Sequence, residues 1–145
     1  MNKPTYAVQS LENLSFSFMS IGRHGIILKV IEFSEMGKNV YNLGFGDYDF
    51  TKNDVDDKIV SDNGDTEKVL ATVIGILHDF LKENPYSTVF IEGSTPVRTR
   101  LYQIAINTYF EEFSKEFLIF GNNQNASQPF QKNINYESFL IKKLL

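Results

Sequence analysis

Hydrophobic and polar positions change their period several times along this chain, and the changes mark out its elements. From Leu14 to Ile21 the pattern alternates, with Leu14, Phe16 and Phe18 on one side and Ser15, Ser17 and Ser20 on the other, as in a half-buried strand. Gly22-Arg23-His24-Gly25 has turn chemistry. The β-branched run Ile26 to Phe33, with Lys29 and Glu32 on opposite faces, then pairs with the first strand as a hairpin. Gly37-Lys38-Asn39 breaks this second strand, and Val40 to Phe45 reads as a third. Gly44 and Gly46 at its end point to a bulge or a close backbone approach. Residues 2–13 read as an extended lead-in, and 47–62 as a polar loop with one short extended piece.

The helical period follows. Val69, Leu70, Val73, Ile74, Leu77, Phe80 and Leu81 share one face of a helix that Asn84-Pro85 stops. Ser87 to Glu92 is almost continuously apolar, which predicts an interior strand parallel to a neighbour. Thr95 is the expected N-cap of a second helix with Pro96 at its first position, and Val97, Leu101, Ile104, Ala105, Phe110 and Phe113 are its expected apolar face. Glu116 to Phe120 is a further strand closed by Gly121, 122–133 a solvated Asn- and Gln-rich loop, and Tyr136 to Lys143 a helix or a final strand, with the alternation of Phe139 and Ile141 against Leu140 and Lys142 favouring the strand. The expected fold is therefore a single α+β domain over 1–145: a mixed sheet that starts as a three-strand antiparallel meander and continues helix-strand-helix-strand, with a final strand.

Composition narrows the chemistry. The 145 residues include no cysteine, which removes disulfides, thiolate catalysis and Cys-ligated zinc and fits a reducing cytoplasm. Neither a signal-like start nor a run of roughly 18 apolar residues is present, so a soluble cytoplasmic protein is expected, without a membrane role. Charge is uneven. Between Asp47 and Glu67 lie eight acids and two bases, a local balance of −6, and the other ten acids and twelve bases sum to +2. With no basic run beyond Lys142-Lys143, nucleic acid is not the expected partner. No cofactor is expected.

Two places attract a functional reading. The first is the acidic turn Asp62, Asn63, Gly64, Asp65 at the start of the first helix. Its simplest role is turn formation and capping, with Glu67 placed well against the helix dipole. A hard cation held by Asp56, Asp57, Asp62 and Asp65 is the chemical alternative, although the spacing is not that of an EF-hand loop. The second place is the start of the other helix. Arg98 and Arg100 there oppose the macrodipole by about 0.3–1 kcal/mol each, so a compensating partner is expected. With Ser94 and Thr95 they form a candidate phosphate or carboxylate site. Salt bridges to the acidic segment are the alternative.

Ser94 lacks the setting of a hydrolase nucleophile: no glycine lies two residues on, and Pro96 offers no oxyanion N–H. His24 and His78 are in no metal-ligand spacing and are expected in solvent. Asn125-Ala126-Ser127 matches a glycosylation sequon without a secretory signal. Phe16, Phe18, Tyr102, Tyr109, Phe110 and Phe113 belong to the expected core.

Six segments, Asn42-Leu-Gly-Phe-Gly-Asp47, Val60-Ser-Asp-Asn-Gly-Asp65, Lys68-Val-Leu-Ala-Thr-Val73, Gly93-Ser-Thr95, Arg98-Thr-Arg-Leu-Tyr102 and Tyr136-Glu-Ser-Phe-Leu140, together resemble a family of small uncharacterised bacterial proteins, a domain of unknown function. The resemblance covers most of the chain and implies no activity. The element order is also similar to that of the GCN5-related acetyltransferases and of the ribonuclease H-like fold, without their catalytic motifs. At the place of the acetyltransferase pyrophosphate loop, Ser61 to Asp65 keeps one glycine but adds Asp62 and Asp65, which repel a pyrophosphate. For a two-metal nuclease, Glu92 and Glu67 are suitably placed, but the first strand carries no acid. The expected function is a binding module for a protein partner or a small anionic ligand, with no chemistry of its own; an enzyme or degenerate enzyme relative is the alternative. Convergence of the acidic turn, Arg98 and Arg100 on one pocket would favour a ligand site or an enzyme.

Overall fold

The computed structural model describes residues 3–12, 14–59, 61–124 and 126–145, so Val60 of the acidic turn and Asn125 of the sequon lie outside the described residues. Among the described residues there are two helices and nine strands: β1 (Gln9–Glu12), β2 (Ser15–Gly22), β3 (Gly25–Gly37), β4 (Val40–Asp49), β5 (Asp54–Asp56), α1 (Thr66–Glu83), β6 (Thr88–Ile91), α2 (Pro96–Phe113), β7 (Phe117–Asn123), β8 (Ala126–Pro129) and β9 (Ser138–Lys143). All strands join one sheet in the order β1-β2-β3-β4-β6-β9-β7-β8, with β5 paired to β4. Only β4 and β6 run parallel, in register Val40 to Thr88 and Asn42 to Phe90. The expected α+β fold is present: meander, helix, strand, helix, strand and a final strand, which inserts between β6 and β7.

The acidic loop contains β5, the short extended piece expected there, and the extended lead-in contributes β1 to the edge of the sheet. The Asn-rich stretch, expected as a solvated loop, folds back as β8. Strands β1 and β8 are four residues long and exposed throughout, so no buried alternation announces their pairing. Gly46 is the close approach its position implied: a Cβ there would stand 2.5 Å from the Asp56 carbonyl oxygen on β5. The apolar face of α2 is rotated from the expected one. Val97 and Ile104 are exposed, whereas Tyr102, Ile106 and Tyr109 are buried together with Arg98 and Gln103, and two buried polar residues blur the stripe.

Cross-strand register sorts the side chains into two faces. Phe18, Ile31, Phe33, Leu43, Phe45, Val89, Ile91, Ile119, Phe139 and Ile141 point to one face and pack with α1 and α2 in a single core. Phe33 stacks on Phe80 of α1 with ring centroids 3.9 Å apart, tying β3 to the last turns of that helix. Ser20 belongs to this face too, fully buried: by strict alternation it follows Phe16 and Phe18, not Ser15 and Ser17, with which the sequence reading groups it. The opposite face carries Met19, Ile21, Ile26, Leu28, Phe90, Leu118, Phe120 and Leu140, none of which joins the core, and neither helix covers it. His78 departs from its expected exposure. Its ring lies between Asp79 at 3.2 Å and Glu116 at 3.0 Å and packs edge-on to Phe117; the hydrogen bond from His78 holds the Glu116 carboxyl below its ordinary range. No helix among the described residues is long and apolar enough to cross a membrane.

Candidate functional site

The corner between β6 and α2 is built on a glycine that cannot carry a side chain. A Cβ on Gly93 would lie 2.3 Å from the Thr99 amide nitrogen, so the chain at Glu92–Ser94 is pressed against the first turn of α2. Gly93 N–H donates to Thr99 Oγ1 at 3.0 Å, and Thr95, the N-cap, accepts the Arg98 N–H on its hydroxyl at 3.2 Å. Pro96 has no N–H to offer, which leaves the Val97 amide as the open donor of that turn. Ser94 Oγ–H donates to the Asp57 carbonyl at 2.7 Å and so ties the acidic segment to this corner.

A pocket of about 430 Å³ opens here. Its walls are Ser94, Thr95 and Arg100 with Glu92, Gln103, Asn135, Tyr136 and Glu137. Buried Gln103 fixes the far wall: its side-chain N–H donates to Ile134 O at 2.9 Å and its oxygen accepts from Tyr136 N at 3.2 Å. The Tyr136 hydroxyl accepts from Gln128 at 2.7 Å and from the Gln131 amide at 3.1 Å. Arg100 is exposed on the near wall and has no hydrogen bond or ion pair with any described residue.

Arg98 points elsewhere. It is 3% exposed, donates from Nη1 to Ile59 O at 2.9 Å and from Nη2 to Phe45 O, and lies 5.0 Å from the centre of the Phe45 ring. Phe45 lies between the part of β4 that pairs with β6 and the part that pairs with β5, so the guanidinium fills the gap where β4 and β6 part. The alternative of salt bridges to the acidic segment is overturned for both arginines: among the described residues neither forms one. Carbonyl oxygens take the place of carboxylates because the buried fork meets backbone there. Burial beside this cation pushes the Tyr102 hydroxyl up to about 12, with Asp57 adding to the effect and Arg98 opposing it.

A second cleft, about 180 Å³, has Arg98 on one wall and Asp62, Asn63 and Asp65 on another. Lys29 lines it as well, buried and bonded to Asp47 at 2.6 Å and to Ser61 at 2.8 Å. Asp65 is the N-cap residue of α1, but its side chain caps nothing. The carboxylate instead accepts from the Tyr6 and Ser20 hydroxyls, each at 2.5 Å, and burial together with that bond raises the Tyr6 hydroxyl above its ordinary value. Asn63 is 2% exposed and joins Ser20, the His24 amide and Gly25 O. Gly64 has φ of +80° and packs near Arg23, which reaches Asp62 at 3.7 Å. The turn is thus a structural knot between α1 and the β2–β3 hairpin. Among the described residues no group of three or more acids or histidines is placed to hold a metal ion.

Of the eight residues singled out in the sequence, seven divide between two clefts, Ser94, Thr95 and Arg100 in the larger and Arg98, Asp62, Asn63 and Asp65 in the smaller, while Gly64 lines neither. The model of a family of unknown function, DUF6934, matches residues 2–144. The chain belongs to that family. No curated protein and no solved structure matches it significantly. In this DUF6934 chain, sequence reasoning named Glu92 only for a two-metal nuclease and missed Gln103, Asn135, Tyr136 and Glu137; the last three reach the pocket through the insertion of β9 between β6 and β7. Lys29 and Asp47 carried a signal that could have been read: a lysine on the inward register of a β-branched strand requires a buried acid opposite.

Proposed function

We propose that this protein is a small binding module whose pocket between β6, α2 and the start of β9 takes a ligand bearing an anionic group. The observation that carries the reading is Arg100, a cation without a partner among the described residues, on the wall of a cavity whose size falls in the range of small-molecule sites. The Thr95 hydroxyl stands on the same wall as a further hydrogen-bonding group, while Ser94 already gives its proton to the Asp57 carbonyl. The other cleft supports the reading less, since its lysine, arginine and acids are already bonded to one another or to backbone. On this reading the protein works in the bacterial cytoplasm and performs no chemistry of its own. A thermal-shift panel of acetate, propionate, inorganic phosphate and nucleoside monophosphates tests it. At least one anion should stabilise the wild type and fail to stabilise Arg100→Gln. An unchanged melting temperature with every anion would refute it.

The uncovered sheet face favours a second reading, in which the partner is a second copy of the chain. Met19, Ile21 and Ile26 are 57%, 62% and 68% exposed on that face, and Glu32 and Lys142 stand on it as charges of opposite sign without an ion pair among the described residues. Sedimentation velocity should then find a dimer that Ile26→Lys dissociates; a monomer across micromolar concentrations would remove this reading.

A further inference from the structure

We infer that the pocket beside α2 selects a zwitterion: a ligand with one monoanionic group for Arg100 and a cationic group, such as an ammonium, for Glu92. The inference rests on the reading of that pocket as an anion site. Glu92 and Arg100 line the same cavity, yet they do not pair with each other, and neither has a hydrogen bond or ion pair with any other described residue. The backbone under both is fixed. Glu92 directly precedes the glycine pressed onto the Thr99 amide, and Arg100 sits one turn into the helix that the glycine abuts. Opposite charges that line one cavity without pairing present a dipole to whatever enters, and a ligand of matching polarity meets both.

The third charge sharpens the class of ligand. Glu137 lies on the wall opposite α2, its carboxylate accepting the Gln124 amide at 2.8 Å, and Gln103 holds the backbone of that wall in place. Two carboxylates and one guanidinium leave the pocket net negative. A dianion such as a phosphate monoester meets more repulsion than attraction there, whereas a carboxylate joined to an amine is attracted at both ends.

The test is isothermal titration of the full chain with glycine, β-alanine and γ-aminobutyrate, set against acetate, propionate and butyrate and against methylamine, ethylamine and propylamine. One amino acid of the series should bind about tenfold or more tightly than the carboxylate and the amine of matching length. Glu92→Gln should abolish that advantage while leaving carboxylate binding in place, and Arg100→Gln should abolish both. If carboxylates bind as tightly as the amino acids, or the preference survives in Glu92→Gln, the zwitterion is refuted and the anion site stands. If none of the probes binds, the anion site falls and the zwitterion with it.

Discussion

Separating Lys29 from Asp47 should destabilise the protein strongly, whereas removing both should not. The pair is buried, with Nζ and Oδ1 2.6 Å apart and the side chains 6% and 11% exposed, and it joins β3 to β4 directly below the cleft at the start of α1. Removing one member of a buried pair costs about 3–5 kcal/mol, because the other charge is left without compensation. Lys29→Met strands the Asp47 carboxylate, and Asp47→Leu strands the ammonium with only the Ser61 hydroxyl to receive it. The double variant Lys29→Met/Asp47→Leu should return to within about 1–2 kcal/mol of wild type, since the two charges disappear together, so the single losses should be far from additive. Urea unfolding of the wild type and the three variants at pH 7 closes this cycle. Single losses that simply add in the double variant would refute the buried-pair account.

Two further predictions concern the core and the pocket corner. Tyr102 ionises near 12 in the folded protein against 10.0 in a model chain, so its contribution to stability is complete below pH 10 and is lost as pH rises from 10 to 12, by on the order of 3 kcal/mol; alkaline unfolding of Tyr102→Phe should lack that part of the decline, and an identical alkaline limb would contradict it. Gly93→Ala should cost about 1–3 kcal/mol in urea unfolding, and weaken anion binding as well, because its methyl group meets the backbone of Thr99 rather than a movable side chain; a variant as stable as wild type would show that the corner is not fixed.

The sequence and the structure agree where burial is one-sided and continuous. Helix α1 was legible from Val69 to Leu81 because that run packs against the sheet, and the Thr95-Pro96 start of α2 because its capping chemistry is local. Helix α2 was misread in phase. Its inward Arg98 is stabilised by carbonyls of Phe45 and Ile59, more than thirty residues away in the chain, and no local pattern reports such a partner. The same limit applies to Asp65, placed correctly at the start of α1 but turned from capping by the hydroxyls of Tyr6 and Ser20. In the candidate site, Ser94, Thr95 and Arg100 could be named from turn chemistry and from a cation set against a helix dipole. The opposite wall could not, because Asn135 to Glu137 reaches α2 only through the sheet order and the hold of Gln103.

If the pocket beside α2 is the proposed ligand site, its walls should report binding directly. Amide NMR of isotope-labelled protein titrated with acetate, and separately with glycine, locates binding residue by residue. The shifts should concentrate at Ser94, Thr95 and Arg100 and at Asn135 to Glu137, saturate at millimolar concentration, and vanish in Arg100→Gln. Shifts confined to Ser61 to Thr66 at the start of α1, or none with either probe, would contradict it.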